Sequence, residues 1–261
     1  MGWNQLAAQF CLQLAFGLLL ALAFVPRAPV GTFFYRIMGT AALVPTLLAL
    51  ALWLTSHERA APRGALLAAG LAALCYPVYA GPVRGRAWAL GLGLAAAATA
   101  AAVGLGLSAS GTVAGPARVA LATLSALATG AVAGSVGLAM VLGHWYLTVP
   151  NLEVSHLRRL NRVTVGSMLV SLASLALVCW AFRSALDEQG RPLFGATGLF
   201  YLGTRVGVGL VMPLVFAWMA AGSLAFRNTR SATGILYAST VLVLIGTAVA
   251  VTLQDTYGVP L

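Results

Sequence analysis

The chain has 261 residues, of which 61% are hydrophobic and only 8% are charged, and its mean hydropathy is +0.94. A soluble domain carries about 25% charged residues, so this composition excludes a water-soluble globule, and it also excludes a disordered or fibrous chain. About 20 apolar residues are needed to cross a bilayer, and eight such spans would leave only short loops. The sequence therefore predicts an all-α integral membrane protein with no separate soluble domain.

Uncharged apolar runs bounded by Arg, Pro or Gly predict a polytopic bundle of eight transmembrane helices in one membrane domain, residues 1–261. The runs are Gln5–Val25, Ile37–Thr55, Gly64–Tyr79, Trp88–Leu107, Val119–Trp145, Val163–Phe182, Gly203–Phe226 and Ile235–Leu253. The third run is short and contains Pro77, so we expect a tilted, kinked or re-entrant helix there. The seventh run is too long if it begins at Phe194, which suggests a half-buried stub before the true span.

Similar residues recur in two connections, one after the first helix and one after the fifth. They are Pro26, Arg36 and Gly39 in the first and Pro150, Arg162 and Gly166 in the second. This weak similarity suggests two parallel four-helix halves, residues 1–115 and 116–261, related by a pseudo-twofold axis along the membrane normal. Convergent loop chemistry explains it equally well. A true repeat would place any shared site between the halves.

The distribution of arginine predicts the orientation of the chain. The net charge is +10 and every basic residue is arginine. The connections after the odd-numbered helices are rich in arginine, whereas four of the five acids lie on the opposite side. By the positive-inside rule, we expect a bacterial-type inner (plasma) membrane protein with both termini outside. We expect Arg158, Arg159 and Arg162 to contact lipid headgroups, although an arginine-rich genome would also explain the composition.

Three glutamines form one stripe of the first helix. Gln5, Gln9 and Gln13 recur at a spacing of four residues and therefore share a face. Their carboxamides could hydrogen-bond a neighbouring helix or a carbonyl-bearing ligand. Other small polar residues on helices 5 and 6 are predicted to form close-packing faces: Ser125, Thr129, Ser167, Ser171 and Ser174.

Arg205 is a charged residue within the seventh apolar run. Counting back about 20 residues from Arg227 places it near the outer boundary of the hydrocarbon. There it could snorkel to lipid headgroups, whereas at greater depth it would need an acceptor. The acids expected on the same side are Asp187, Glu188 and Asp255. A cation beside Gln9 and Gln13 would suit an anionic or quinone-like headgroup.

The densest polar and aromatic cluster contains His144, Trp145 and Tyr146, just before a turn at Pro150. His144 is the histidine expected at membrane depth, where an imidazole could exchange protons or hydrogen-bond a quinone carbonyl. A b-type haem needs two axial ligands on facing helices, and a second such histidine is missing, so haem b is disfavoured. Met140 or Met168 would have to replace it. The alternative is an interfacial anchor without a ligand.

The sequence also lacks the patterns of self-contained catalysis. No acid lies at the centre of a span, and no HExxH, GxSxG or nucleotide-binding loop occurs. We therefore expect an inner-membrane subunit of an electron-transfer assembly that binds a quinone or lipid headgroup and anchors other membrane or peripheral subunits. No resident cofactor is assured, a quinone is possible, and no nucleic-acid partner is expected. A small-solute transporter or channel is the first alternative, and a structural membrane scaffold without a ligand is the second.

Overall fold

The computed structural model describes residues 2–25, 30–55, 85–149, 152–187 and 192–261. These ranges are helical throughout, apart from turns and short connections, and contain no strand. The helices are α1 (Trp3–Leu22), α2 (Thr32–Thr55), α3 (Arg86–Ala109), α4 (Pro116–Thr148), α5 (Val154–Ala181), α6 (Arg183–Asp187), α7 (Ala196–Ala225) and α8 (Thr229–Tyr257). Helix α7 is continuous, but a π-helical turn, Gly207–Val211, interrupts its α-helical geometry.

Seven of these helices, all except α6, are long and apolar enough to cross a membrane. Large apolar side chains such as Leu90, Trp218 and Leu244 are exposed on their outer faces, where only lipid would cover them favourably. The prediction of an all-helical protein with several helices able to cross a membrane is therefore confirmed for the described residues. The third predicted span, Gly64–Tyr79, lies outside the described residues, so the eighth crossing and the orientation stay predictions.

Helices α5 and α7 begin furthest ahead of the apolar runs that predicted them. Helix α5 begins at Val154 rather than at Val163, because Leu157 and Leu160 are buried at helical spacing while the intervening arginines are exposed. Such amphipathic turns are helical without being apolar. Helix α7 begins at Ala196 and continues through the expected stub into the span without a break.

Helix α4 is the centre of the bundle, since it packs against α1, α3, α5 and α8. Helix α1 also contacts α2 and α3, and α7 lies against α5 and α8. Glycines allow α1 and α4 to cross closely, because a methyl group at Gly130 or Gly134 would overlap the main chain of α1 at Gln13 or Gly17. Small residues permit such approaches between helices in membranes.

The contacts within the two predicted halves correspond to each other. In residues 1–115, α1 contacts α2 and α3, and in residues 116–261, α4 contacts α5 and α8. The leading helices of the two halves, α1 and α4, pack against one another. Two halves around a pseudo-twofold axis would give these contacts, although the division itself stays a prediction.

Three apolar clusters are stacked along the helix axes between two ends of the bundle. The Pro116 end is the end at which α4 begins, and the Thr148 end is the end at which α4 stops. The cluster at the Pro116 end includes Leu12, Leu107, Ala126 and Val178. The middle cluster consists of the buried residues Val132, Ala133, Val136, Met168, Leu210 and Val243. The cluster at the Thr148 end includes Leu142, Leu160, Leu224 and Leu236.

Six of the buried polar residues in the described ranges lie between these clusters, in two layers. The arginine layer, between the Pro116-end and middle clusters, consists of Thr129, Ser171 and Arg205. The asparagine layer, between the middle and Thr148-end clusters, consists of Asn161, Thr164 and Ser239. Polar groups inside a membrane bundle need partners within it, so these layers are where a functional site is to be sought.

We predict that Gly134→Ala lowers the stability of the protein, because the added methyl group would collide with the main chain of α1. Overpacking of this kind costs about 1–3 kcal/mol. Gly137→Ala is the matched control on the same helix, since a methyl group there meets no atom within 4 Å. Thermal unfolding in detergent measures both variants, and equal melting temperatures would contradict the close crossing of α1 and α4.

Candidate functional site

Arg205 is a charged side chain enclosed by the bundle. It is 1% exposed and is the bulkiest of the fully buried side chains. A guanidinium stays protonated in proteins, so its positive charge lies inside the protein. The snorkelling alternative does not describe this side chain, because it turns from α7 toward α4 and α5 rather than toward the surface.

Two neutral hydroxyl groups hold the guanidinium. Arg205 Nη2 donates to Thr129 Oγ1 at 2.8 Å and to Ser171 Oγ at 3.2 Å. The Thr129 hydroxyl donates in turn to the main-chain oxygen of Ser125 at 3.1 Å. Because its proton is used in that bond, Thr129 Oγ1 acts as the acceptor for the guanidinium. These contacts fix the orientation of Arg205 but contribute no negative charge. The sequence analysis assigned Thr129 and Ser171 to packing faces, and their role as acceptors emerges only when three helices meet.

The rest of the guanidinium has no acceptor. Arg205 Nε and Nη1 are buried and make no hydrogen bond. In the described part of the chain, the acids expected on this side, Asp187 and Asp255, have exposed side chains, and neither pairs with Arg205. A desolvated cation without a counter-charge is costly inside a membrane protein. The arrangement can therefore accept a group that supplies oxygen atoms.

The backbone of α7 is irregular beside Arg205. The π-helical turn begins at Gly207, two residues further along, and Pro213 removes a main-chain donor immediately after it. Gly209 packs against α8, since a Cβ there would lie 2.6 Å from Gly246 Cα and 3.6 Å from Arg205 Nη1. Turns of π-helix are frequent at functional sites.

The predicted glutamine stripe lies on the other side of α4. Gln9 Nε2 donates to the main-chain oxygen of Val103 on α3 at 3.3 Å, so this carboxamide makes the helix-to-helix bond that was one of its two expected roles. Gln9 Oε1 is buried without a partner. Gln13 is buried where α1 crosses Gly130, one residue beyond Thr129. No hydrogen bond joins Gln9 or Gln13 to Arg205 in the described residues.

The predicted cluster of His144, Trp145 and Tyr146 does not converge on one pocket. His144 is exposed, and its Nδ1 lies 3.2 Å from the hydroxyl of Tyr237 on α8. Trp145 donates to a main-chain oxygen just before α2 at 3.2 Å, and Tyr146 donates to the main-chain oxygen of Glu153. Consecutive helical residues point about 100° apart. Each side chain therefore links α4 to a different element, as an interfacial anchor would.

The three arginines predicted to contact lipid headgroups also occupy different surroundings. Arg158 Nη2 donates to the main-chain oxygen of Leu224 near the end of α7 at 3.0 Å. Arg158 also lines a surface cavity of about 420 Å³ together with Arg227. Arg159 and Arg162 are exposed. Their contact with lipid phosphate stays a prediction.

The described residues contain no group of three or more His, Cys, Asp or Glu side chains that could hold a metal ion. Met168, one of the alternative haem ligands, is fully buried in the middle apolar cluster. No protein family, curated protein or solved structure matches the chain. The candidate site must therefore be judged from its own geometry.

We predict that Thr129→Val destabilises the protein by about 1–3 kcal/mol, because it removes an acceptor from a buried cation. Thr123→Val on the same helix is the matched control, since Thr123 donates only to its own helix, at Val119 O. Thermal unfolding in detergent compares the two variants. Equal losses would show that the contact with Arg205 contributes nothing.

Proposed function

We propose that the protein is a multi-pass membrane subunit that binds the headgroup of a membrane-soluble ligand at Arg205, and that this ligand is a quinone or a lipid. One observation carries the proposal, namely a guanidinium that is 1% exposed and has two nitrogens without an acceptor. Buried polar groups are rarely left without a partner. A ligand that supplies oxygen acceptors would complete the site.

The chemistry of the arginine layer favours binding of oxygen-rich groups. Guanidinium groups donate strong hydrogen bonds to phosphate and carboxylate oxygens, and quinone carbonyl oxygens are acceptors as well. A phosphate would also neutralise the buried charge. Thr129 and Ser171 already hold the guanidinium in place, so its orientation is set before a ligand binds.

A role within an electron-transfer assembly extends the same proposal. The described connections are short, such as the three residues that separate α7 from α8, so little of the described chain lies outside the helices. Such a subunit would position a quinone and anchor partner proteins, while other chains would supply the redox centres. Support for this step comes from the architecture and the Arg205 site together.

We expect a quinone analogue with a short tail to quench tryptophan fluorescence of the purified protein in a saturable manner. Arg205→Gln should raise the dissociation constant about 10- to 100-fold, because it removes charge-assisted hydrogen bonds. Titration with phosphatidylglycerol in the same detergent distinguishes a lipid from a quinone.

His144→Ala is the control, because His144 is exposed and contacts Tyr237 instead, so its dissociation constant should equal that of the native protein. Ligand-dependent stabilisation of the native protein against heat provides a readout that needs no variant. If neither ligand gives saturable quenching or a higher melting temperature, the proposal fails.

A small-solute transporter is the second candidate, and the irregular backbone of α7 favours it. The π-helical turn and Pro213 weaken main-chain bonding beside Arg205, and such breaks allow part of a helix to shift. Helix α7 contacts α8 through the glycine pair Gly209 and Gly246. Because glycine has no side chain, α7 could slide along α8 there with little obstruction.

If the protein transports small anions, proteoliposomes should take up formate faster than empty vesicles, and Arg205→Gln should abolish the difference. Pro213→Ala should slow uptake several-fold, because it restores a main-chain donor to α7. Pro45→Ala in α2 is the matched control, since Pro45 also lies inside a helix but away from Arg205. Uptake equal to that of empty vesicles would remove this candidate.

A further inference from the structure

The asparagine layer contains three buried side chains whose hydrogen-bonding atoms have no partner. Asn161 is 2% exposed, and Thr164 and Ser239 are each 1% exposed. Asn161 Oδ1, Thr164 Oγ1 and Ser239 Oγ make no hydrogen bond. An unmet polar group in an apolar interior is costly, and all three lie at one level along the bundle, between the middle and Thr148-end clusters.

The hydroxyl of Thr164 behaves differently from those of other buried threonines in the chain. Thr46, Thr99 and Thr247 each donate to the main-chain oxygen four residues earlier, at 2.7–3.0 Å. Thr164 does not make this bond, although it lies within a regular helix. Its hydroxyl is therefore turned away from its own helix and remains available to another acceptor.

Asn161 is fixed at the seam between α5 and α7. Its Nδ2 donates to the main-chain oxygen of Ala217 at 2.8 Å. This bond identifies the amide nitrogen and leaves Oδ1 as a free acceptor. The layer thus combines one free acceptor with hydroxyl groups that can donate or accept.

A surface cavity lies at the Thr148 end of the bundle, on the same helix as Asn161 and Thr164. The cavity, of about 420 Å³, is lined by Arg158, Arg227 and the residues that precede or begin α5. Asn161 and Thr164 follow Arg158 at steps of three residues, so they lie about 4.5 Å and about 9 Å further along the axis of α5. Beyond Thr164, Met168 belongs to the middle apolar cluster, which closes the path.

We infer that a water-filled vestibule enters the bundle from the cavity at Arg158, follows the α5–α7 seam past Asn161, and ends in the asparagine layer. Water satisfies the free acceptor and both hydroxyl groups, and buried water commonly makes two to four such bonds. A cation fits less well, because the three side chains of the layer are neutral and the entrance carries two arginines against one carboxylate, Glu153.

The vestibule gives one side of the membrane access to the middle of the protein. One apolar layer, the middle cluster, separates the vestibule from the arginine layer. This cluster includes Met168, Leu210 and Val243. Protons or small hydrophilic solutes could therefore approach Arg205 to within one apolar layer. This inference does not depend on which ligand Arg205 binds, because its evidence comes from other residues.

Cysteine accessibility tests the vestibule. In a background with Cys11, Cys75 and Cys179 replaced by serine, Asn161→Cys and Thr164→Cys should react with a hydrophilic, membrane-impermeant thiol reagent. Leu157→Cys and Leu160→Cys are matched controls, since both leucines are 0% exposed on the same helix and pack in the Thr148-end cluster. Because reactivity follows exposure to water, we expect rates about tenfold higher than in the controls.

Reaction should occur from one side of the membrane only, the side that the Arg158 cavity faces. Equal rates at all four positions would overturn the inference.

A second measurement uses the native chain. X-ray irradiation generates hydroxyl radicals from bound water, and these oxidise nearby methionine to its sulfoxide. Met168 is 0% exposed but lies one helical turn beyond Thr164, whereas Met38 is 5% exposed and packs within the Thr148-end cluster. We expect faster oxidation at Met168, reduced several-fold by Thr164→Val. Oxidation of Met168 no faster than that of Met38 would refute the vestibule.

Discussion

The burial of one guanidinium constrains the centre of this bundle. Lipid provides no hydrogen bonds, so a charge within a membrane protein must be satisfied from inside it. Thr129 and Ser171 satisfy one nitrogen of Arg205, whereas two nitrogens stay unmet. Neutral hydroxyl groups orient a cation but do not neutralise it, so the charge of Arg205 has no counter-charge among the described residues that hold it.

Glycine contacts create the geometry in which this charge is buried. Gly130 and Gly134 bring α4 against α1, and Gly209 meets Gly246 where α7 crosses α8. Such crossings leave little room for large side chains between the helices. Arg205 then reaches Thr129 on α4 with its long side chain from α7.

The sequence predicted the helices well and the site only in part. Composition and the length of the uncharged apolar runs identify all seven described spans, because every helix that crosses the hydrocarbon needs about 20 apolar residues whatever its neighbours are. The partner that a polar side chain contacts cannot be predicted in this way, since it depends on which helices meet. The sequence therefore left open whether Arg205 contacts lipid headgroups or lies buried, and it placed Ser171 in a packing face. Asn161 was missed because it lies in a basic segment that resembles a loop, although its spacing from Thr164 and Met168 could have revealed a helical face.

The alternation of polar and apolar layers connects binding with transport. The arginine layer and the asparagine layer lie on opposite sides of the middle cluster, which contains Met168, Leu210 and Val243. If that cluster stays closed, Arg205 holds its ligand away from the water at the Thr148 end, as a quinone or lipid site requires. Leu210 lies within the π-helical turn. If this turn lets the middle cluster open, a solute could bind first in one polar layer and then in the other. The two proposed functions therefore differ in the mobility of one apolar layer, and not in the chemistry of the residues around it.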